Sequence, residues 1–265
     1  MSLGLSILSW RGAETLSRSL ESYARADLFS IFDEAQVFLP EPDDAVLSLV
    51  KAYDVMVRTS PQNLGIMENM ALSVASMTTD YVLMLENDCP LIESKDEVER
   101  QLLKSLELLK NEDVIMARLR SISSPGQNFT GLEKYRRLYD GSFSSHVVKT
   151  MRPDKLRRLT GYALYDGIQS IRRHPEHFQN MGDRFFLINA EVMPWTNQSI
   201  LIHRKTFLNR IVPLARSIKT RRHANNLPNL EIELNKSNSW KNSGWKIACG
   251  PGLFTHERIG NRGYA

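Results

Sequence analysis

Tyr81-Val82-Leu83-Met84-Leu85 is an unbroken apolar run that passes straight into Glu86-Asn87-Asp88 and is halted by Pro90. Five residues suit a strand better than a buried helix, and a strand apolar on both faces must be covered on both faces. A mostly parallel sheet with helices on either side supplies that cover. The residues before it alternate in the same sense. Leu3–Trp10 is a short apolar run without helical spacing, and Gly12–Ala26 then repeats apolar positions at Leu16, Leu20, Tyr23 and Ala24. Gln36–Leu39 ends at Pro40, Tyr53–Val57 is a third brief stretch, and Ile66, Met70, Val74 and Met77 share one helical stripe. The predicted order is βαββαβ. Ser94-Lys95-Asp96-Glu97 fits a capping box that opens a helix buried through Val98, Leu102, Leu106 and Leu109, and Asp113–Arg118 reads as the next strand. In an open α/β sheet of this kind, ligands bind beyond the carboxyl ends of the strands.

From Ser121 to about Arg173 the periodicity loosens, which predicts long loops and short helices lying over the sheet. Strands are expected again at Phe185–Ile188 and Ser199–His203, a helix near Lys205–Leu214, and a last strand at Trp245–Cys249, with Gly250-Pro251-Gly252 as a turn. At 265 residues, 42% hydrophobic and 24% charged, the chain can bury a full core in one large domain. No apolar run approaches the ~18 residues of a membrane span, and Met1–Trp10 is too short and polar for a signal peptide. A soluble, cytoplasmic protein is expected. Cys89 and Cys249 form neither a CxxC pair nor a Cys/His cluster, which excludes a disulfide framework or a zinc ribbon. Charge is lopsided: residues 1–100 carry 7 Lys/Arg against 17 Asp/Glu, and residues 101–265 carry 27 against 13. The basic second part suits an anionic ligand without naming one.

Three local patterns carry chemistry. Glu86 and Asp88 are two apart at a strand's carboxyl end, so both side chains leave one face about 6.6 Å apart along the strand. A hard divalent cation, with substrate phosphate oxygens completing its shell, would join them; the alternative is an ordinary polar turn. Asn63-Leu64-Gly65, with Asn69 beyond, opens the helix leading into this strand, and suits either close backbone approach to an anion or a plain turn and cap. His256, in Thr255-His256-Glu257-Arg258 after the last strand, suits a metal ligand or a hydrogen-bonded structural histidine. Arg258 has the planar fork that holds a diphosphate.

The order of these pieces resembles the GT-A fold glycosyltransferases, especially family-two-like enzymes, over most of the chain. In that family an opening strand ends in a nucleotide-contacting loop, matched by Leu8-Ser9-Trp10-Arg11, with Glu14 in the next turn. An Asn-x-Gly and a following Asn, here Asn63, Gly65 and Asn69, precede a strand ending in a DxD-type motif, here Glu86-Asn87-Asp88. The resemblance implies one GT-A domain over residues 1–265, with a nucleotide-sugar half at 1–120 and an acceptor half at 121–265. It implies Mn²⁺ or Mg²⁺ bound by Asp88 and the late His256, with Glu86 a further ligand or acting on ribose and sugar hydroxyls. The motif departs from the family's in beginning with Glu.

The implied reaction moves a sugar from a nucleotide-sugar, a UDP-sugar ahead of a GDP-sugar, to a hydroxyl of a glycan or lipid-linked acceptor, with inversion. Arg258 and Lys246 are candidates to stabilise the leaving diphosphate. In look-alike enzymes the general base is acidic and opens a helix between the acceptor loop and the final strand, the interval filled here by Asn229-Leu230-Glu231-Ile232-Glu233-Leu234. Glu231 is favoured over Glu233; otherwise both are carboxylates drawn to a helix N-terminus by its dipole. Trp195, Trp240 and Trp245 either stack on a sugar or pack inside. Arg157-Arg158, Arg172-Arg173 and Arg221-Arg222-His223 are solvated pairs, or hold an anionic acceptor or a membrane surface. The competing functions are a sugar-nucleotide pyrophosphorylase, poorly matched by Ser9-Trp10-Arg11-Gly12-Ala13, and a non-catalytic polyanion-binding module. No nucleic-acid motif is present.

Overall fold

The computed structural model describes residues 1–127, 129–142, 146–147, 150–218 and 227–259. Its first part runs β1 (Leu3–Leu8), α1 (Ala13–Arg25), β2 (Glu34–Pro40), α2 (Asp44–Lys51), β3 (Met56–Ser60), α3 (Gly65–Ala75), β4 (Tyr81–Glu86), α4 (Lys95–Leu108) and β5 (Val114–Arg120). Short helices follow, beginning with α5 (Thr130–Leu138), and then β6 (Phe178–Asn180), β7 (Phe186–Asn189), β8 (Ile200–His203) and β9 (Lys246–Phe254). Strand order in the single sheet is β3-β2-β1-β4-β8-β5-β9-β7-β6. Strands β1 to β4 pair in parallel, β8 is antiparallel to both β4 and β5, and β5 is parallel to β9. The carboxyl ends of β1, β4, β5 and β9 therefore lie along one edge of the sheet.

Helices cover both faces, as the two-sided apolar run of β4 requires. Leu83 and Leu85 join the core beneath α1, α2 and α4, built with Leu16, Leu20, Val50, Val98 and Leu102. Val82 and Met84 point the other way, into the core of α3 and the later helices with Met70, Val74, Phe207 and Leu234. Ser94 caps α4 by accepting from the Glu97 N–H.

Three expectations are corrected. The order is βαβαβαβ, because α2 intervenes between β2 and β3, and β3 starts at Met56 rather than Tyr53. With two turns and only Val46 and Val50 buried, α2 is too short to display a period; Asp43 caps it by accepting from the Val46 N–H at 2.8 Å. Gly250-Pro251-Gly252 is not a turn but the interior of β9, where the register against β5 shifts between Arg118 and Arg120. Gly252 sits at φ +87°, and a Cβ there would lie 2.3 Å from the Arg120 carbonyl oxygen, so these residues mark a bulge. The helix expected at Lys205–Leu214 spans 204–217 and is interrupted by a π-turn at Phe207–Ile211.

Candidate active site

The polar end of β4 is joined to the end of β9 by the backbone. The Thr255 N–H donates to the Pro90 carbonyl at 3.1 Å and the Glu257 N–H to the Asp88 carbonyl at 2.9 Å. This clip sets the side chains of Asp88 and His256, only 3% and 6% exposed, against each other with Nε2 2.8 Å from Oδ2. The other imidazole nitrogen, Nδ1, is 3.1 Å from the Gln127 carbonyl oxygen, while the Gln127 N–H donates to the His256 carbonyl at 2.9 Å. Gly126 makes that approach possible: it sits at φ +77°, and a Cβ would lie 2.2 Å from the His256 oxygen.

Both ring nitrogens thus face acceptor oxygens, although a neutral imidazole has one N–H. With that proton on Nδ1 and given to Gln127, the Nε2 lone pair and the Asp88 carboxylate converge on a place where a cation satisfies both. Among the described residues no group of three or more His, Cys, Asp or Glu side chains converges as a metal site. Two protein donors with open positions nonetheless fit a hard divalent ion whose shell is completed by phosphate oxygens and water. Glu86, half-buried, closes β4 opposite Leu8 of β1.

Around this pair the loop after β1 is held from within. The Asn87 amide donates to the Gly12 carbonyl at 3.1 Å and to Thr15 Oγ1 at 2.8 Å, and a Cβ on Gly12 would lie 1.9 Å from that nitrogen. Ser19 and Tyr23 of α1 donate to the carbonyls of Asn87 and Cys89. Asn87 accordingly shapes the loop that carries Ser9, Trp10 and Arg11. Ser9 Oγ is buried without a hydrogen-bond partner among the described residues, Arg11 lies over the Trp10 ring, and Trp10 Nε1 donates to Glu41 at 3.3 Å. Arg11 and Glu41 both hold φ of +47°, left-handed conformations concentrated at this edge. Glu14 is exposed and pairs with Arg18 at 3.2 Å. Asn63 Oδ1 accepts from the Gly65 N–H and from the buried Asn69, stapling the entry to α3.

Beside His256 opens a cavity of 300 Å³ whose wall includes Arg118, Arg120, Tyr162, Thr196, Glu231 and Arg258. Glu231 opens the helix Leu230–Lys236, whose N-cap Asn229 accepts from the N–H groups of Glu231 and Ile232. Burial raises the Glu231 pKa above the ordinary glutamate value; Arg118, a hydrogen bond from Thr196, Arg120 and His256 pull against that rise. Glu233, on the same helix, is buried and does not line the cavity.

Several side chains expected at the ligand are elsewhere. The segment Pro194-Trp195-Thr196 lines the cavity as expected, but the Trp195 ring is 1% exposed, stacked on Phe207 and edge-on to Trp240, with Nε1 donating to Asn197, so most of it packs in the core. Trp240 is equally buried and donates to the Met193 carbonyl, and Trp245 packs against it. The aromatic residues lining the cavity are Tyr162, Phe129 and the edge of Trp195 that its burial leaves exposed. Lys246 begins β9, so roughly 25 Å of strand separates it from His256, and its part in stabilising a diphosphate is withdrawn. Arg157 is engaged with Asp154 and Glu191, Arg172 and Arg173 are exposed, and Arg221-Arg222-His223 lie outside the described residues. The arginines that do reach the site, Arg118 and Arg120, had a readable signal: alternate positions at the end of the apolar run Val114–Leu119 put both on one face. Gln127 had none beyond the neighbouring Pro125-Gly126 turn.

A parallel-rich sheet with its polar residues gathered beyond the carboxyl ends of β1, β4, β5 and β9 defines an open α/β architecture, in which that edge is where ligands bind. No family model matches the chain, and no curated protein matches it. Solved structures do. Glucosyl-3-phosphoglycerate synthase from Mycobacterium tuberculosis, crystallised with Mn²⁺, UDP-glucose and phosphoglyceric acid, superposes with a TM-score of 0.50 at 14% identity, over 98% of this chain and 72% of that one. TarS 1–349 of S. aureus matches with a TM-score of 0.53 at 12% identity, over 97% of this chain and 60% of that one. Its complex with UDP-GlcNAc gives 0.53 at 11% identity, over 99% and 60%. The chain has the GT-A fold of these glycosyltransferases.

Proposed function

We propose that this protein is a metal-dependent, inverting glycosyltransferase that takes a sugar from a nucleotide-sugar and delivers it to an acceptor hydroxyl. One observation carries the reading: the buried imidazole of His256, with acceptor oxygens at both nitrogens, is set against Asp88 at the mouth of the β4 carboxyl end. Complexes of the fold neighbours with UDP-glucose and Mn²⁺ and with UDP-GlcNAc support a UDP-sugar ahead of a GDP-sugar.

Asp88 and His256 would hold Mn²⁺ or Mg²⁺, which supplies positive charge to a diphosphate as it leaves. The loop Ser9–Arg11, fixed by Asn87, and the Asn63–Gly65–Asn69 turn border the nucleotide, and Glu86 lies at the ribose and sugar hydroxyls. Arg258 faces the leaving group with a planar donor fork. Across the cavity Glu231 accepts the proton of the attacking hydroxyl; a carboxylate whose pKa burial has raised is the stronger base for that task. Attack from the face opposite the leaving group inverts the anomeric centre. The acceptor is a glycan, a lipid-linked saccharide or a small hydroxyl compound.

Titration calorimetry with UDP, with and without Mn²⁺, tests the reading. Binding that depends on Mn²⁺ and vanishes in Asp88→Ala is expected. Metal-independent binding that weakens with salt would place the protein among polyanion binders instead.

A further inference from the structure

We propose that the acceptor carries an oxyanion, a carboxylate or a phosphate, and that Arg118 is the residue that receives it in the cavity beside His256. The inference rests on the glycosyltransferase reading for the word acceptor, while its charge argument stands on the cavity alone.

Arg118 is 6% exposed and lines the cavity from β5. Among the described residues its guanidinium has no carboxylate within 4.0 Å. Its Nη1 donates to the Met193 thioether at 3.3 Å, a weak acceptor, its Cζ lies 5.7 Å from the centroid of the Tyr165 ring, and its Nε is buried with no hydrogen-bond partner among the described residues. A planar, permanently charged group with unspent donors is suited to a bidentate oxyanion. Arg120, two residues on and on the same face, reinforces the field. It spends its donors on neutral oxygens, the carbonyls of Pro125 and Gln127 and the amide of Gln198, and lies over the Phe129 ring, with no carboxylate within 4.0 Å among the described residues. Burial and then Arg118 lower the Arg120 pKa, as two like charges confined together should.

Arg258, which is exposed, also lines the cavity, and Glu231 is the one carboxylate among its described lining residues. Glu231 carries one negative charge and offsets at most one of the two buried guanidiniums, Arg118 and Arg120. Isolated buried charge is strongly unfavourable unless a partner arrives, and here the missing partner is negative. At 300 Å³ the cavity has the size of a small-molecule site. It therefore admits a small hydroxy-acid or sugar phosphate, or the anionic terminal residue of a longer chain, with its hydroxyl toward Glu231 and its oxyanion toward Arg118.

The test measures binding of two matched trios to the full chain, each with and without UDP and Mn²⁺: glycerol, glycerate and glycerol phosphate; glucose, glucuronate and glucose 6-phosphate. At least one anionic member of a trio should bind about tenfold or more tighter than its neutral parent. A preference confined to phosphates or to carboxylates identifies the source of the oxyanion. Arg118→Gln should erase the preference and Arg118→Lys should restore part of it, with circular dichroism reporting whether each variant folds. Equal or tighter binding of both neutral parents overturns the proposal, as does a preference that survives in a folded Arg118→Gln protein. Should Arg118→Gln not fold, the wild-type ratio still decides. Failure of UDP to bind with Mn²⁺ would instead overturn the glycosyltransferase reading and leave the anion preference separately measurable.

Discussion

Two cavities open at opposite ends of the sheet, and size does not rank them by chemistry. The larger, 490 Å³, lies at the amino end of β5 among Lys110, Glu112, Val114, His203 and Arg210. The smaller, 300 Å³, lies beyond the carboxyl ends. In the first, Lys110 and Glu112 face solvent and Arg210 covers the Trp245 ring. The second holds buried guanidiniums, a carboxylate with a raised pKa and a histidine between two acceptors. Water screens the first set and leaves it little reason to be there beyond solubility. The second set gathers buried charge in a cleft, the pattern that the proposed function needs.

Asp88→Ala should give the largest effect, about a 10³-fold loss of sugar transfer together with loss of Mn²⁺-dependent UDP binding, read by calorimetry and by release of UDP. Comparable Mn²⁺-linked binding in that variant would remove the carboxyl-end cavity from consideration. Glu231→Gln comes next, with donor binding retained and transfer lowered about 10²-fold. Its pH profile sharpens the point. Glu231 works deprotonated and burial raises its pKa from 4.5, so wild-type transfer should rise with pH through an inflection above that value. The glutamine variant should lack that limb, and a limb that survives in Glu231→Gln but is lost in Glu233→Gln would reassign the base.

Gly126→Ala tests the clamp on His256. The added methyl meets the His256 backbone and the residue must keep a positive φ, so the imidazole should shift. The Mn²⁺ concentration for half-maximal rate is expected to rise about tenfold or more, in the range of altered metal supports. Lys110→Ala, in the larger cavity, should be the smallest change: transfer unaltered, and stability within about 0.5 kcal/mol by thermal denaturation. A substantial loss of activity there would reverse the ranking of the two cavities.

Much of this contrast was legible before any coordinates. The β4 run announced a two-sided sheet, and the polar triplet at its end pointed to the ligand edge. Glu231 could be picked out only through the resemblance to GT-A enzymes, whose base opens a helix before the final strand. Other residues were hidden for stated reasons. Two buried positions in α2 cannot show a period, and Gly250-Pro251-Gly252 looks the same as a turn or as a bulge until its partner strand is known. Trp195 had the composition of a sugar platform, but Phe207 and Trp240 enclose it.

The sequence alone determined where strands and helices form and which way their apolar faces turn, since those follow from spacing among near neighbours. Only the tertiary structure decided that Asp88 meets a histidine 168 residues away, and that Arg118 and Arg120 share a cavity in which Glu231 is the one carboxylate among the described lining residues. Both depend on strand order and register: β8 inserts between β4 and β5, and β9 bulges as it passes Arg120. Local periodicity does not encode either, because distant segments compete for the same neighbours until the sheet closes.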